Sequence, residues 1–180
     1  MRNLETYIKN RELYPNEYLA FKAMFVHTLK WEGGSKLHNV KGDSGGWTKY
    51  GIAYNKNSHL FDNIEDFFDT TYDEAVLIAF SEYYLPIKTY LLPKEAQLMY
   101  FDMAYNMGNS KAIKHMQKCI GVKADGIIGR ITESMMQYVT EDCLYTKRND
   151  YYYYLVKTTT WARKFISGWL NRSKAIYELA

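Results

Sequence analysis

The chain has 180 residues, 47% of them hydrophobic and 24% charged, which is enough for one compact domain with a sizeable core and ordinary for a soluble globular protein. Its 23 basic and 20 acidic residues leave a net charge of only +3, so whole-molecule charge names no partner. No apolar run is long enough to span a membrane, and the opening "MRNLETYIKNREL" lacks the apolar stretch of a signal peptide.

Residues 1–15 read as an appended N-terminal arm, followed by a single domain over residues 16–180. "NEYLAFKAMFVHTLKWEGG" reads as a helix, because Phe21, Met24, Phe25 and Leu29 recur at helical spacing and Gly33-Gly34 end it. Glu32 lies 11 residues after Phe21. At about 100° per residue it continues the apolar face at a helix C-terminus, where the dipole and desolvation both favour the neutral acid. A neutral carboxyl is what a general acid needs.

"KWEGGSKLHNVKGDSGGWTKYGI" (residues 30–52) then holds six of the chain's 11 glycines. Glycine clusters mark backbone that turns sharply or approaches something closely. With "AY" added, the stretch reads as a short hairpin or small sheet with glycines at its turns. Asp43 lies in "GDSGG", a turn able to hold it opposite the helix end, and Thr48 follows five residues later with a hydroxyl that can orient water. An acid on a helix end facing a carboxylate on a turn is the arrangement glycoside hydrolysis uses. Asp in a turn is equally a common Asx-turn residue.

"TTYDEAVLIAFSEYYL" opens with a capping-box pattern, Thr71 with Glu74, and stops at Pro86. "PKEAQLMYFDMAYNMG" is punctuated by Pro93 and Gly108. Asp102 and Asn106 are four residues apart and share a face of that helix. Their functional reading is a polar strip that lines a sugar groove, and their structural reading is local capping. "SKAIKHMQKCIG" reads as a further helix. The turn "KADGIIGR" follows, with Asp125 fixing it and Ile127 and Ile128 in the core, and another helix starts at about Ile131. From Glu141 to Leu179 the chain reads as helical, with a break near "SGW". Cys119 and Cys143 form no CxxC pattern and indicate neither a disulfide framework nor a zinc site. His115, one turn before Cys119, has no further ligands in the pattern, and no metal is expected.

Charge is uneven. Residues 57–87 carry seven acids and no Lys or Arg, whereas from Leu144 onward there are seven bases (Lys147, Arg148, Lys157, Arg163, Lys164, Arg172, Lys174) against Asp150 and Glu178. Such a basic run can attract a polyanionic envelope or nucleic acid, and most such runs are solvated helix faces. The 18 tyrosines suit carbohydrate or flat ligands as well as a core. No phosphate-binding loop, dinucleotide fingerprint, HExxH or nucleophile elbow is present.

Several motifs together resemble glycoside hydrolase family 108, the N-acetylmuramidases of phage endolysins and bacterial secretion activators. They are "EGG" (32–34), "DSGGWTKYGI" (43–52), "YDEAVLIAFSEYY" (72–84), "FDMAYNMG" (101–108), "DGIIGRIT" (125–132) and "FISGWLNR" (165–172), in the family's order from about Phe21 to the end. The chain has Ser44 where the family usually has Pro, and Ser35 where it often has an aromatic.

The resemblance implies a lysozyme-like α+β fold, mainly α, with a small N-terminal β-hairpin or sheet. Residues from about 90 to 180 would correspond to the family's C-terminal helical part, which is like a peptidoglycan-binding module. It implies cleavage of the β-1,4 bond between N-acetylmuramic acid and N-acetylglucosamine, with Glu32 as general acid and Asp43 and Thr48 completing the catalytic set. Trp47, Tyr50, Asp102, Tyr105 and Asn106 would contact sugars. The expected partner is bacterial peptidoglycan, with no cofactor, no metal, no nucleic acid, no membrane insertion and a monomeric chain. Synthesis in a host cytoplasm and action at the cell wall follow from the same reading. The alternatives are a lytic transglycosylase and a non-catalytic wall-binding or virion protein.

Overall fold

The structure is a computed structural model that describes residues 4–39 and 45–179. The chain divides into two compact units, Met1–Glu82 and Tyr83–Ala180.

In the first unit, residues 5–13 are not a bare arm. They form α1 (Glu5–Leu13), which buries Tyr7. The Tyr7 hydroxyl donates to Glu82 Oε1 at 2.5 Å, and Asn10 Nδ2 donates to Ser81 Oγ at 3.2 Å. α2 (Pro15–Leu29) begins on Pro15, whose fixed φ suits a first helical position. Its Phe21 and Phe25 are fully buried and stack at 5.4 Å, and Phe21 also meets Phe80 at 5.4 Å.

The small sheet expected after α2 has three antiparallel strands in the order β1 (His38–Asn39), β2 (Trp47–Lys49) and β3 (Ile52–Ala53). Its register pairs His38 with Thr48, Asn39 with Trp47, Thr48 with Ala53 and Lys49 with Ile52. Two short helices follow, α3 (Tyr54–Asn57) and α4 (Ile64–Phe68), and then α5 (Tyr72–Ala79). The capping box is formed as the sequence implies: Glu74 N–H donates to Thr71 Oγ1 at 3.3 Å, and Thr71 N–H donates to Glu74 Oε2 at 2.8 Å.

The second unit packs α6 (Lys94–Met107), α7 (Asn109–Cys119), α8 (Arg130–Met135), α9 (Glu141–Thr158) and α10 (Ile166–Tyr177). α6 spans the stretch bounded by Pro93 and Gly108, and Gly108 leaves it at φ 91°. Its core includes Met99, Tyr100, Phe101, Met103, Met116, Leu144 and Ile176.

Three expectations are corrected here. The final helical stretch breaks before "SGW", which lies inside α10. The chain leaves α9 at Thr158–Thr160, where the hydroxyls of Thr158 and Thr159 turn back to the carbonyls of Tyr154 and Leu155 at 2.8 and 2.7 Å. Ile127 is 70% exposed rather than in the core. Asp125 does fix its turn: its Oδ1 accepts from Ile127 N–H at 2.9 Å and from the buried Gln117 at 3.0 Å, and these bonds hold its carboxyl below the ordinary range. Third, Cys119 and Cys143 form a disulfide with a Cα–Cα distance of 5.8 Å, tying the last residue of α7 to the first turn of α9. The pair stands 24 residues apart, a spacing without a local motif.

Candidate active site

Glu32 is positioned by the way α2 ends. The helix stops at Leu29, and Trp31 N–H and Glu32 N–H donate to Thr28 O and Leu29 O at 3.0 and 3.1 Å. Glu32 therefore sits in the turn beyond the helix, half-buried, and not on the helix itself. The reason is the pair after it: Gly33 and Gly34 take φ of 75° and 63°, the left-handed region that non-glycine residues rarely enter.

That turn is tied to the sheet. Tyr50 N–H donates to Gly34 O at 3.1 Å, and β1, which starts at His38, places Thr48 opposite His38. The backbone that carries Glu32 and the strand that carries Thr48 are thus parts of one hydrogen-bonded assembly. On β2, Trp47 packs edge-on against Phe68 at 5.1 Å and Lys49 Nζ donates to Phe68 O at 2.5 Å. Side chains alternate along a strand, so Thr48 projects from the opposite face, away from Phe68. Asp43 lies outside the described residues.

Tyr50 carries a signal that the sequence does not display. It and Gly51 form the two-residue connection from β2 to β3, with φ of 54° and 80°. Positive φ at both positions is what a type I′ hairpin connection requires. Asn, Asp or Gly usually fills the first of them, and a bulky aromatic there stores strain of a kind that clusters at functional sites. Its ring faces Tyr72 at 6.3 Å, with Lys49 Nζ 5.7 Å from the ring centre. Gly46 answers to both demands: its φ is 68°, and a Cβ at that position would lie 2.8 Å from Asn55 Nδ2, while Asn55 N–H donates to Gly45 O at 3.1 Å.

The other three candidates belong to the second unit. Asp102 does not line a groove. It is fully buried, and its carboxylate accepts from Arg148 Nη2 at 2.6 Å and from Arg172 Nε and Nη2 at 2.9 and 2.8 Å. Tyr105 is 9% exposed, packed between Tyr83 at 4.8 Å and Phe101 at 5.6 Å. Asn106, one turn beyond Asp102, is exposed, and its Oδ1 accepts from the Tyr152 hydroxyl at 2.9 Å. Arg148 closes the chain by donating from Nε to that same hydroxyl at 2.9 Å. The face shared by Asp102 and Asn106 is thus a network running from core to surface. Two of the seven bases in the C-terminal run, Arg148 and Arg172, serve as its buried cations, which a charge count along the chain reads as solvated.

Among the described residues no cluster of His, Cys, Asp and Glu could hold a metal ion, and no helix is long and apolar enough to cross a membrane.

Residues 25–108 match the model of the family described as glycosyl hydrolase 108. The matched segment begins at Phe25 and takes in Glu32, Trp47, Thr48, Tyr50, Asp102, Tyr105 and Asn106. The chain is also similar to a solved structure of SagA from Brucella abortus, with 24% identity over 88% of this chain and 91% of that one and a TM-score of 0.71. The mainly α, lysozyme-like arrangement with a small N-terminal sheet is therefore a shared fold. No curated protein matches the sequence.

Proposed function

With residues 25–108 carrying the glycosyl hydrolase 108 pattern, we propose that the chain is a peptidoglycan hydrolase, an N-acetylmuramidase that cuts the β-1,4 bond between N-acetylmuramic acid and N-acetylglucosamine. The observation that carries the reading is the half-buried Glu32 on a turn pinned to the sheet by the Tyr50–Gly34 hydrogen bond, with Thr48 on the adjoining strand.

Glu32 gives its proton to the glycosidic oxygen as the C1–O bond breaks, so the leaving sugar departs as a neutral alcohol and positive charge develops on the ring. Water then attacks C1 from the opposite face. Thr48 orients that water, and Asp43 takes its proton. This order of events inverts the anomeric centre. In this reading Trp47 and Tyr50 of the first unit contact sugars, and in the second unit the exposed Asn106 is a candidate sugar contact that Asp102 supports through Arg148 and Tyr152. No step calls on a metal or cofactor, and the chain works as a monomer at the wall after synthesis in a host cytoplasm.

The test is clearing of purified cell walls by the wild-type chain and by Glu32→Gln, with products read by mass spectrometry and by NMR before mutarotation. We expect a folded Glu32→Gln protein with turnover reduced by roughly 10²–10⁴-fold or more. The wild type should release reducing-end muramic acid, α-anomer first. Near wild-type clearing by Glu32→Gln would refute the acid. A 1,6-anhydro product would make the protein a lytic transglycosylase, and a folded wild type without activity would make it a binding protein.

A further inference from the structure

The second unit holds a basic cleft that the catalytic reading does not use. It is an open depression of about 730 Å³ between α7 and α9, beside the disulfide that joins the two helices. Lys111, Lys114 and Lys118 line it from α7, and Lys147 from α9. At 1.5 Å rise per residue, Lys111 to Lys118 spans about 10 Å, enough to face two neighbouring anionic groups. None of the four ammonium groups has an ion-pair partner among the described residues, and a single carboxylate, Asp150, shares the lining. Like charges three and four residues apart on a helix repel, so the clustered lysines carry an electrostatic cost that a bound anion would relieve.

The floor adds a polar group. His115 is 8% exposed, its Nδ1 is buried with no hydrogen-bond partner, and burial together with Lys118, Lys147 and Lys111 lowers its pKa to about 4. At neutral pH the imidazole is therefore uncharged and offers one N–H donor without adding to the repulsion.

The cleft contains no arginine, so it lacks the planar fork suited to carboxylates. Lysine ammonium groups bind phosphate as point charges. The aromatic lining also argues for a particular carrier of that phosphate. Tyr151 has His115 at 5.3 Å and Lys111 Nζ at 5.7 Å, so its ring is engaged, which leaves Tyr154 as one exposed platform. Single-stranded nucleic acid needs successive open aromatic faces.

We propose that this cleft binds phosphate groups borne on a carbohydrate or polyol chain of the bacterial envelope, and so anchors the protein to its substrate layer. The envelope as source rests on the function proposed above, whereas the phosphate chemistry stands on the cleft alone.

The test uses the full chain carrying Glu32→Gln, so binding is read apart from catalysis. Four probes are titrated: a disaccharide bearing two phosphates, the same disaccharide without phosphate, a glycerol phosphate hexamer, and hexathymidylate. We expect the phosphorylated disaccharide, the glycerol phosphate hexamer or both to bind at least about tenfold more tightly than the neutral sugar and than hexathymidylate. Whichever binds better names the source. Lys114→Gln/Lys118→Gln/Lys147→Gln should weaken that binding by about 20–30-fold, at roughly threefold per exposed charge contact. NMR of the unsubstituted cleft provides a reading that needs no lysine variant: His115 and Tyr151 resonances should shift on adding the phosphorylated probe. Equal or tighter binding of hexathymidylate or the neutral sugar, unchanged affinity in the triple variant, or unmoved His115 and Tyr151 resonances would each overturn the proposal.

Discussion

Replacing Asp102 by Asn tests whether this fully buried charge of the second unit is a structural keystone. The substitution keeps size and shape but removes the negative charge that Arg148 and Arg172 share, to which they donate three hydrogen bonds of 2.6–2.9 Å. Arg148 is fully buried and Arg172 is 5% exposed, so neither guanidinium can recover its hydration without opening the core. Breaking a buried pair by removing one partner typically costs about 3–5 kcal/mol, because the remaining charge is left uncompensated. At about 2–4 °C per kcal/mol for a chain of this size, the melting temperature should fall by roughly 6–20 °C. Thermal and urea unfolding followed by circular dichroism read the loss directly. Substituting all three together, Asp102→Leu with Arg148→Met and Arg172→Met, should recover much of it, since apolar replacements of buried ion clusters are often neutral or stabilising. A loss below about 1 kcal/mol in Asp102→Asn, with turnover reduced instead, would refute the reasoning and return Asp102 to the sugar groove.

Asn106→Ala should behave in the opposite way: it gives up one hydrogen bond at an exposed position, costing about 0.5–1.5 kcal/mol, and the larger effect should appear in turnover on walls. Reducing the Cys119–Cys143 bond, or replacing both residues by Ser, should lower stability by about 3 kcal/mol for a closure of 24 residues, measured as a shift in urea midpoint. Two opposing pH slopes are expected. Burial first, and then Asp142 and Glu95, raise the Glu141 pKa from 4.5 to about 7, so its folded form holds a proton that the unfolded chain has lost, and stability falls as pH rises through that window. His115 works the other way: with its pKa lowered from 6.5 to about 4, stability falls as pH falls between those values. Unfolding curves of Glu141→Gln and His115→Gln should each lack one of the two slopes, and an unchanged pH profile in either would refute that residue's part.

Local features of the fold were legible because their causes are local. The Thr71–Glu74 box, Pro93 and Gly108 punctuate helices through bonds and backbone angles only a few residues wide. The turn that carries Glu32 is legible for the same reason, although the glycine pair that marks the helix end also releases Glu32 from the helix one turn earlier than periodicity implies. What the sequence hid depends on distance along the chain. Asp102 meets its arginines 46 and 70 residues away, so the pattern around it exposes a polar helix face but not what that face binds. Ile127 failed for a complementary reason, since Gln117 and Asp125 satisfy the turn with polar bonds and leave its apolar side chain outside. The strained Tyr50 could be found only from its φ.

The bridge between α7 and α9 gives one polypeptide two durabilities. In a reducing cytosol the two thiols are kept apart by the glutathione and thioredoxin pools, and they pair where the surroundings are oxidising. A chain made on one side of a membrane and working on the other would begin its life pliable, open to threading and to proteases, and would harden only after crossing. With about 3 kcal/mol at stake, the population of opened molecules in the second unit would drop by roughly a hundredfold on that passage. The same covalent step would fix the walls of the lysine cleft, so the place where the protein is meant to hold on would become firm only where there is something to hold.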